Sequence, residues 1–172
     1  TLVPSARLCR AGGRERLRAD QRMAGPGQLP AAVRGRIGAM ALSQTPAVEL
    51  VRDIRRQEVA IRDLPEGDER QAGREALQAR LRDLQREAVD RSLLRMLHSP
   101  YQLQEKMTWF WMNHFNISIR KSSHMRAMLP DFEASVVRPR ALGKFEDLLA
   151  ATVRHPAMLL YLDNNQNANK RI

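Results

Sequence analysis

The chain has 172 residues, of which 43% are hydrophobic and 28% charged, and its formal net charge is +10. This length and composition are typical of one ordinary soluble domain with a hydrophobic core. The single cysteine, Cys9, excludes an intrachain disulfide and a multi-cysteine metal site, and no run reaches the roughly 18 apolar residues of a membrane span.

The positive charge is spread unevenly along the chain. Residues 1–44 carry eight Arg against two acids, residues 45–98 carry 11 Arg against 11 acids, and residues 99–172 carry ten Arg and Lys against six acids. A nucleic-acid-binding surface would gather its basic residues on one face beside exposed aromatic rings. Most of the excess lies instead in the first segment, so the sequence argues against a nucleic-acid partner.

The N-terminal segment, residues 1–30, is rich in Gly, Pro and Arg and has no hydrophobic period. This pattern predicts a disordered or poorly ordered basic segment, and no apolar run within it marks a signal peptide. A short helix is predicted from Pro30 to Met40. Residues 31–172 are predicted to form part of one helical domain, truncated at its C-terminus.

The first well-marked helix is predicted to begin at Thr45 and Pro46, because Thr is a good N-cap and Pro suits the first helical position. The Pro and Gly of residues 64–67 should end it. A long helix is then predicted from Asp68 to Leu97.

The long helix carries its apolar residues on two different sides. Leu77, Leu81 and Leu84 share one face, whereas the apolar residues after Ala88 lie on another. The helix therefore either bends near Asp90 or packs on two partners. Its charged first half, residues 68–88, is interpreted as a solvent-facing arm and as a candidate surface for a protein partner.

The best-marked helix start is at Ser99, with Pro100 at the first helical position and Gln102 completing a capping box. The helix that follows carries one apolar stripe with a histidine in it. We predict that this helix, residues 99–116, is central to the core and buries that stripe, which consists of Leu103, Met107, Phe110, Trp111 and His114.

Three shorter helices are predicted after a polar stretch at 116–123. They cover residues 125–138, ending before Pro139 because a residue before proline disfavours α geometry, then 144–154 and 156–162. The predicted fold class is mainly α, an irregular multi-helix array with no significant sheet.

Three segments carry a specific pattern: LSQTPAVELV (42–51), RMLHSPYQLQEKMTWFWMNHFNIS (95–118) and VVRPRALGKFEDLLAATVRHPAMLLYLDNNQN (136–167). Together they resemble the bacterial family called domain of unknown function 1800. The resemblance implies a mostly helical protein several hundred residues long, of which this chain would be a front fragment with apolar surface left uncovered. It implies no reaction and no cofactor. It is compatible with export of the full-length protein, with a cytoplasmic location as the alternative.

The two histidines within these segments have two interpretations each. His114 is either a metal ligand or general base, or a core histidine whose imidazole bonds to a backbone carbonyl. His155 precedes a proline at a helix end, where an imidazole can interact with the last carbonyls of that helix. The structural interpretation is favoured for both.

Asp163 is the third candidate catalytic group, and it stands among amides. One acid among amides does not match a calcium loop, so no metal site is predicted. No phosphate-binding Gly-rich loop and no nucleophile elbow occur either. The candidate ligand-binding amides are Asn113, Asn116 and Asn164.

Two functions of different classes remain open. The first is a hydrolase-type or metal-dependent enzyme that combines His114, His155 and Asp163 with residues outside this chain. The second is a helical interaction or assembly module.

Overall fold

A computed structural model describes residues 29–164, and no strand occurs in that range. The predicted mainly α fold class is therefore confirmed. The helices are α1 (Ala31–Gly38), α2 (Ala41–Gln44), α3 (Ala47–Asp63), α4 (Asp68–His98), α5 (Gln102–Phe115), α6 (Met125–Asp131), a π-helical segment (Phe132–Val137), α7 (Arg138–Arg140), α8 (Phe145–Arg154) and α9 (Pro156–Tyr161).

The helix starts agree with the sequence to within two or three residues. The helix predicted over 30–40 is α1, and α3 begins at Ala47 because Pro46 is still extended, with ψ of 140°. The prediction of a disordered segment falls on residues 1–28, which lie outside the described part of the chain, as do residues 165–172. None of the helices within 29–164 is long and apolar enough to cross a membrane.

The long helix α4 is unbroken and packs on two partners. Leu77, Leu81 and Leu84 form one apolar cluster with Leu50 and Ile54 of α3. Farther along, Leu94 packs in a second cluster with residues of α1. The helix therefore packs on two partners without a break, but not through its second apolar stripe. Leu94 makes the second contact, whereas the stripe residues Val89, Leu93 and Leu97 are exposed. The interpretation of its first half as a wholly solvent-facing arm is wrong, because one face of that half is buried against α3.

The largest apolar cluster is centred on the helical stretch from α6 to α7. Phe132 and Val137 are fully buried there, together with Leu148 of α8. The prediction that residues 99–116 form the central helix is wrong. The fully buried residues of α5, Glu105 and Thr108, are polar. Its apolar side chains at 111, 112 and 115 pack against this cluster from the edge and are only partly buried.

The helical stretch continues through Pro139, where the sequence predicted it would end. Arg138 keeps α geometry, with φ of −57° and ψ of −47°, and α7 ends one residue after the proline. The side chain of Arg138 makes two ion pairs at this point. Because those contacts fix Arg138 in place, they offset the usual steric preference of a residue before proline.

Candidate functional site

Aromatic rings from two helices meet around Trp111. Its ring lies 5.0 Å from Phe110 in an edge-on arrangement and 5.7 Å from Phe145 of α8 in a stacked one. The Trp111 Nε1 donates a hydrogen bond of 3.0 Å to the backbone oxygen of Ala141. This bond and the neighbouring rings hold Trp111 in one position, so the ring is a fixed link between α5 and α8.

Much of this cluster is exposed. Phe110 is 49% exposed and Phe145 50%, and the exposure continues along α8 at Leu149 (41%) and Val153 (49%). We call these four residues the apolar face. Phe110 of this face was predicted to be buried, as was Leu103 earlier on α5, and both lie in solvent.

His114 lies beside the apolar face and is exposed. Its imidazole stacks on Phe110, with ring centroids 6.0 Å apart, and stands edge-on to Trp111. Its side chain makes no hydrogen bond to any residue within 29–164. The interpretation of His114 as a core histidine bound to a backbone carbonyl is therefore wrong, since the ring is at the surface and packs only on other rings.

His155 joins two helices. Its Nδ1 accepts a hydrogen bond of 3.2 Å from the backbone N–H of Ala157, which caps the start of α9. Its Nε2 lies 3.1 Å from a carboxylate oxygen of Asp131. Because Nδ1 accepts this bond, the ring N–H is on Nε2, and it donates a hydrogen bond to the Asp131 carboxylate. The predicted contact with the last carbonyls of α8 is wrong, because the ring serves the N-terminus of the next helix instead.

Asp163 and the candidate amides lie at helix ends. Asp163 has a left-handed backbone, φ of 57°, and pairs with Lys121 at 2.6 Å. Asn116 ends α5, also left-handed with φ of 46°, and the Asn113 amide donates to the backbone oxygen of Trp109 at 2.8 Å. Asn164 follows α9 and is exposed.

The candidate catalytic residues do not meet. His114 packs on Phe110, His155 binds Asp131 and Asp163 binds Lys121, and no hydrogen bond, ion pair or ring contact joins the three. Within residues 29–164, no group of three His, Cys, Asp or Glu side chains is arranged to hold a metal ion.

A buried ion-pair network lies on the other side of α5, and the sequence analysis missed it. The guanidinium of Arg138 pairs with Glu105 through one nitrogen and with Glu133, at 2.5 Å, through the other. Glu133 also accepts a hydrogen bond of 2.6 Å from the Ser92 hydroxyl. Arg91 donates a 2.7 Å hydrogen bond to the backbone oxygen of Pro130. These contacts tie α4, α5 and the π-helical segment together.

The network shifts the pKa values of its arginines. Burial alone would lower the pKa of Arg138, but the hydrogen bond to Glu105 and the charges of both glutamates outweigh it, so that pKa is raised. Burial lowers the pKa of Arg91 and of Arg95, which lie near Arg138 and have weaker compensation.

A small cavity of about 120 Å³ adjoins this network. Its walls combine the ion-paired side chains of the network with apolar side chains, among them Met96, Met112 and Trp109. Trp109, at 62% exposed, forms its rim. Glu105 and Arg138 lie in two of the sequence segments that resemble the family, 95–118 and 136–167. They are 33 positions apart, and local spacing in a single sequence does not predict a pairing over that distance.

A serine, a histidine and a glutamate also come together between α3 and the start of α6. Glu58 accepts a hydrogen bond from the Ser123 hydroxyl, and its other oxygen lies 3.4 Å from His124 Nε2. Activation of a serine requires the histidine to bond to the hydroxyl, with the acid behind it. Here the acid lies between the other two, so the group links two helices and has no nucleophile–base pair.

The comparisons with known proteins give one match. The model of one protein family, described as "Protein of unknown function (DUF1800)", matches residues 12–172, nearly the whole chain. Neither a curated protein nor a solved structure matches the chain.

Proposed function

The chain belongs to the DUF1800 family of proteins of unknown function, and from that premise we propose that it serves as a helical assembly module. In this proposal the apolar face docks an amphipathic helix of a protein partner. The observation that carries it is the exposed stripe of Phe145, Leu149 and Val153, which recurs every four residues along α8.

The shape of the stripe suits a helix. Residues at i, i+4 and i+8 line one side of a helix, and the ten residues of α8 extend for about 15 Å. A partner helix of similar length could bury its own apolar stripe against it. Phe110 and the anchored Trp111 widen the surface at one end, where a bulky partner side chain would meet two rings.

The exposure itself is the second support. Soluble proteins expose single apolar residues routinely, but a contiguous patch with aromatic residues in it is typical of a contact surface. The adjacent side of the same helix is packed, since Leu148 and Thr152 are buried. The exposure of Leu149 therefore does not result from loose packing of α8.

Other candidate functions have less support. Both ring nitrogens of His155 are engaged and Asp163 is ion-paired, so a hydrolase built on them would first have to break these contacts. The charged arm over 68–88 remains a predicted partner surface, but two of its arginines already pair within the chain, Arg80 with Asp53 and Arg86 with Asp83.

A photo-crosslinking side chain at position 149 tests the proposal in cells of the source organism. We expect one protein adduct of defined mass, which contains an amphipathic helix at the crosslink and disappears when Phe145 and Val153 are both replaced by serine. The matched control places the same crosslinker at Leu97 of α4, which is 73% exposed but far along the chain from the apolar face. No adduct at 149, or the same adducts from both positions, would contradict the proposal.

A further inference from the structure

We propose that the cavity beside the ion-pair network is a binding site for a small primary amine, whose ammonium group bonds to Glu105 and whose short alkyl chain fills the apolar part of the cavity. This inference goes beyond the proposed function. The cavity residues of α5 lie on the opposite side of that helix from Phe110 and the apolar face.

The cavity has the size and the walls of a small-ligand site. Its volume is about 120 Å³, and an apolar cavity of about 150 Å³ binds benzene, so a ligand of about five heavy atoms fits. The thioethers of Met96 and Met112 and the ring of Trp109 make most of the wall apolar. Trp109 is at the exposed rim, so a ligand can enter there. Walls of this kind suit a short alkyl chain.

Glu105 has an unused hydrogen-bond acceptor beside this cavity. The residue is only 5% exposed, and its Oε2 pairs with Arg138. Its other oxygen, Oε1, accepts no hydrogen bond from any residue within 29–164, whereas both carboxylate oxygens of Glu133 have partners. A buried carboxylate oxygen without a donor is unfavourable, so a ligand with N–H donors gains by bonding to it.

The charges in the wall favour a cation. Two carboxylates and one guanidinium line the cavity, so an anion would meet more negative than positive charge there. Arg91 and Arg95 lie near the network but not in the cavity wall, and their charges weaken the attraction for a cation. Trp109 offsets this, because an ammonium group is attracted to the face of an indole ring. Trp109 lies one turn after Glu105 on the same side of α5, so one ammonium group can contact both.

The π-helical segment forms one wall of the cavity. The backbone N–H of Arg138 donates to the backbone oxygen of Glu133, five residues earlier, and their side chains pair at 2.5 Å. In a regular α-helix, residues five apart are about 140° apart around the axis, so this side-chain pairing depends on the wider turn. Turns of this kind are rare and occur frequently at functional sites. The turn places both side chains in the cavity wall, which supports a role for the cavity beyond packing.

An NMR titration of the chain, labelled with ¹⁵N-tryptophan, with n-butylammonium tests the site. The chain has two tryptophans, so two indole N–H signals are expected, and Trp109→Phe assigns them. The Trp109 signal should shift with a dissociation constant of about 1 mM, as suits a ligand of about five heavy atoms. The Trp111 signal is the internal control and should not move. No shift of Trp109 at about 50 mM amine, or equal shifts of both signals, would overturn the proposal.

Analogues with the same chain length test the ammonium group. 1-Butanol keeps the alkyl chain with a neutral donor and should bind at least about tenfold more weakly, because a charged donor forms the stronger bond to a carboxylate. Butyrate, an anion, should leave the Trp109 signal in place at the same concentrations. Equal binding of 1-butanol and n-butylammonium would contradict recognition of an ammonium group.

Substitutions test the two side chains that contact the ammonium group. Glu105→Gln should weaken n-butylammonium binding about tenfold, measured by saturation-transfer NMR on the ligand. Trp109→Ala changes an exposed residue outside the ion-pair network and should weaken binding about fivefold, so it decides the matter if Glu105→Gln does not fold. Leu103→Ala is the control, since Leu103 is exposed on the same helix but is not in the cavity wall. Unchanged affinity in Trp109→Ala, or the same loss in Leu103→Ala, would overturn the proposal.

Discussion

The two sides of α5 differ in which residues they bury: one side buries charged residues, and the other exposes apolar ones. On one side, charged residues are buried, and each of Glu105, Glu133 and Arg138 has a partner of opposite charge. On the other side, the apolar face lies in solvent, and its two rings, Phe110 and Phe145, both pack on Trp111. A buried charge with an oppositely charged partner is already compensated within the chain. An exposed apolar patch is not, because covering it with another apolar surface lowers the free energy. The network is therefore structural, and the face is the surface for which we propose a docking role.

The largest effect is expected where the network is left half-formed. Arg138→Met removes the shared cation and leaves two buried carboxylates facing each other, which should lower the free energy of unfolding by about 3–5 kcal/mol. Urea denaturation followed by circular dichroism measures it. Adding Glu105→Gln and Glu133→Gln should recover much of the loss, while the exposed Arg82→Met should change stability by less than about 0.5 kcal/mol. A loss no greater than that of Arg82→Met would show that the network does not hold the helices together.

Two neighbouring leucines of α8 sharpen the comparison within a single helix. Leu148 is fully buried and Leu149 is on the apolar face, so Leu148→Ala should cost about 2–5 kcal/mol. Leu149→Ala should cost less than about 1 kcal/mol and should act instead on docking of the proposed partner helix. Urea denaturation of the isolated chain measures both losses. Similar losses for both variants would mean that Leu149 belongs to the core.

His155 tests whether a candidate catalytic residue behaves as a structural one. His155→Ala removes both the cap of α9 and the bond to Asp131, and should cost about 1–2 kcal/mol. His155→Asn keeps a side-chain acceptor at the N-cap position and should recover part of that loss. The readout is the midpoint of thermal unfolding for both variants. A stability unchanged in His155→Ala would remove the structural role argued here.

The smallest effect is expected at the half-buried ion pair of Arg80 and Asp53. The hydrogen bond from Arg80, the largest cause, lowers the pKa of Asp53 below its ordinary value of 3.8. A carboxylate with a lowered pKa in the folded state adds stability above the pKa of the unfolded chain, and the stability is lost as pH falls through the folded value. Asp53→Asn should therefore cost less than about 1 kcal/mol at pH 7, a difference that shrinks toward pH 3. Urea denaturation at both pH values measures it, and a difference that grows on acidification would contradict the assignment.

Local patterns in the sequence predicted the helices well. The start of α4 at Asp68 and its end near His98 follow from turn residues at both ends. The switch of apolar face along it did not locate the second partner, since Val89, Leu93 and Leu97 are exposed and the contact with α1 is made by a different leucine. The capping box predicted at the start of α5 is wrong. The Gln102 amide donates to the Ser99 backbone oxygen at 2.7 Å, and the Ser99 hydroxyl accepts from the backbone N–H of Tyr101, whereas a capping box would bond that hydroxyl to the N–H of Gln102. The regular helix begins only at Gln102.

The side of α5 that faces the core could not be predicted from the sequence. Periodicity located an apolar stripe, and the usual rule would bury it. The structure buries Glu105 instead, because its carboxylate forms an ion pair with Arg138, which lies 33 residues later in the chain. A pairing between distant residues leaves no trace in local spacing, and it reverses the orientation of the helix. His114, predicted to be inside, is outside for the same reason.

The length of α4 affects how the described region unfolds locally. Its 31 residues extend for about 46 Å and carry side chains of two separate apolar clusters, one with α3 and one with α1. Neither cluster can come apart alone without fraying one half of an otherwise continuous helix. The backbone amides near the middle of α4, between Leu84 and Leu94, should thus be the slowest of that helix to exchange with solvent, and the two clusters should lose their protection together as one cooperative unit.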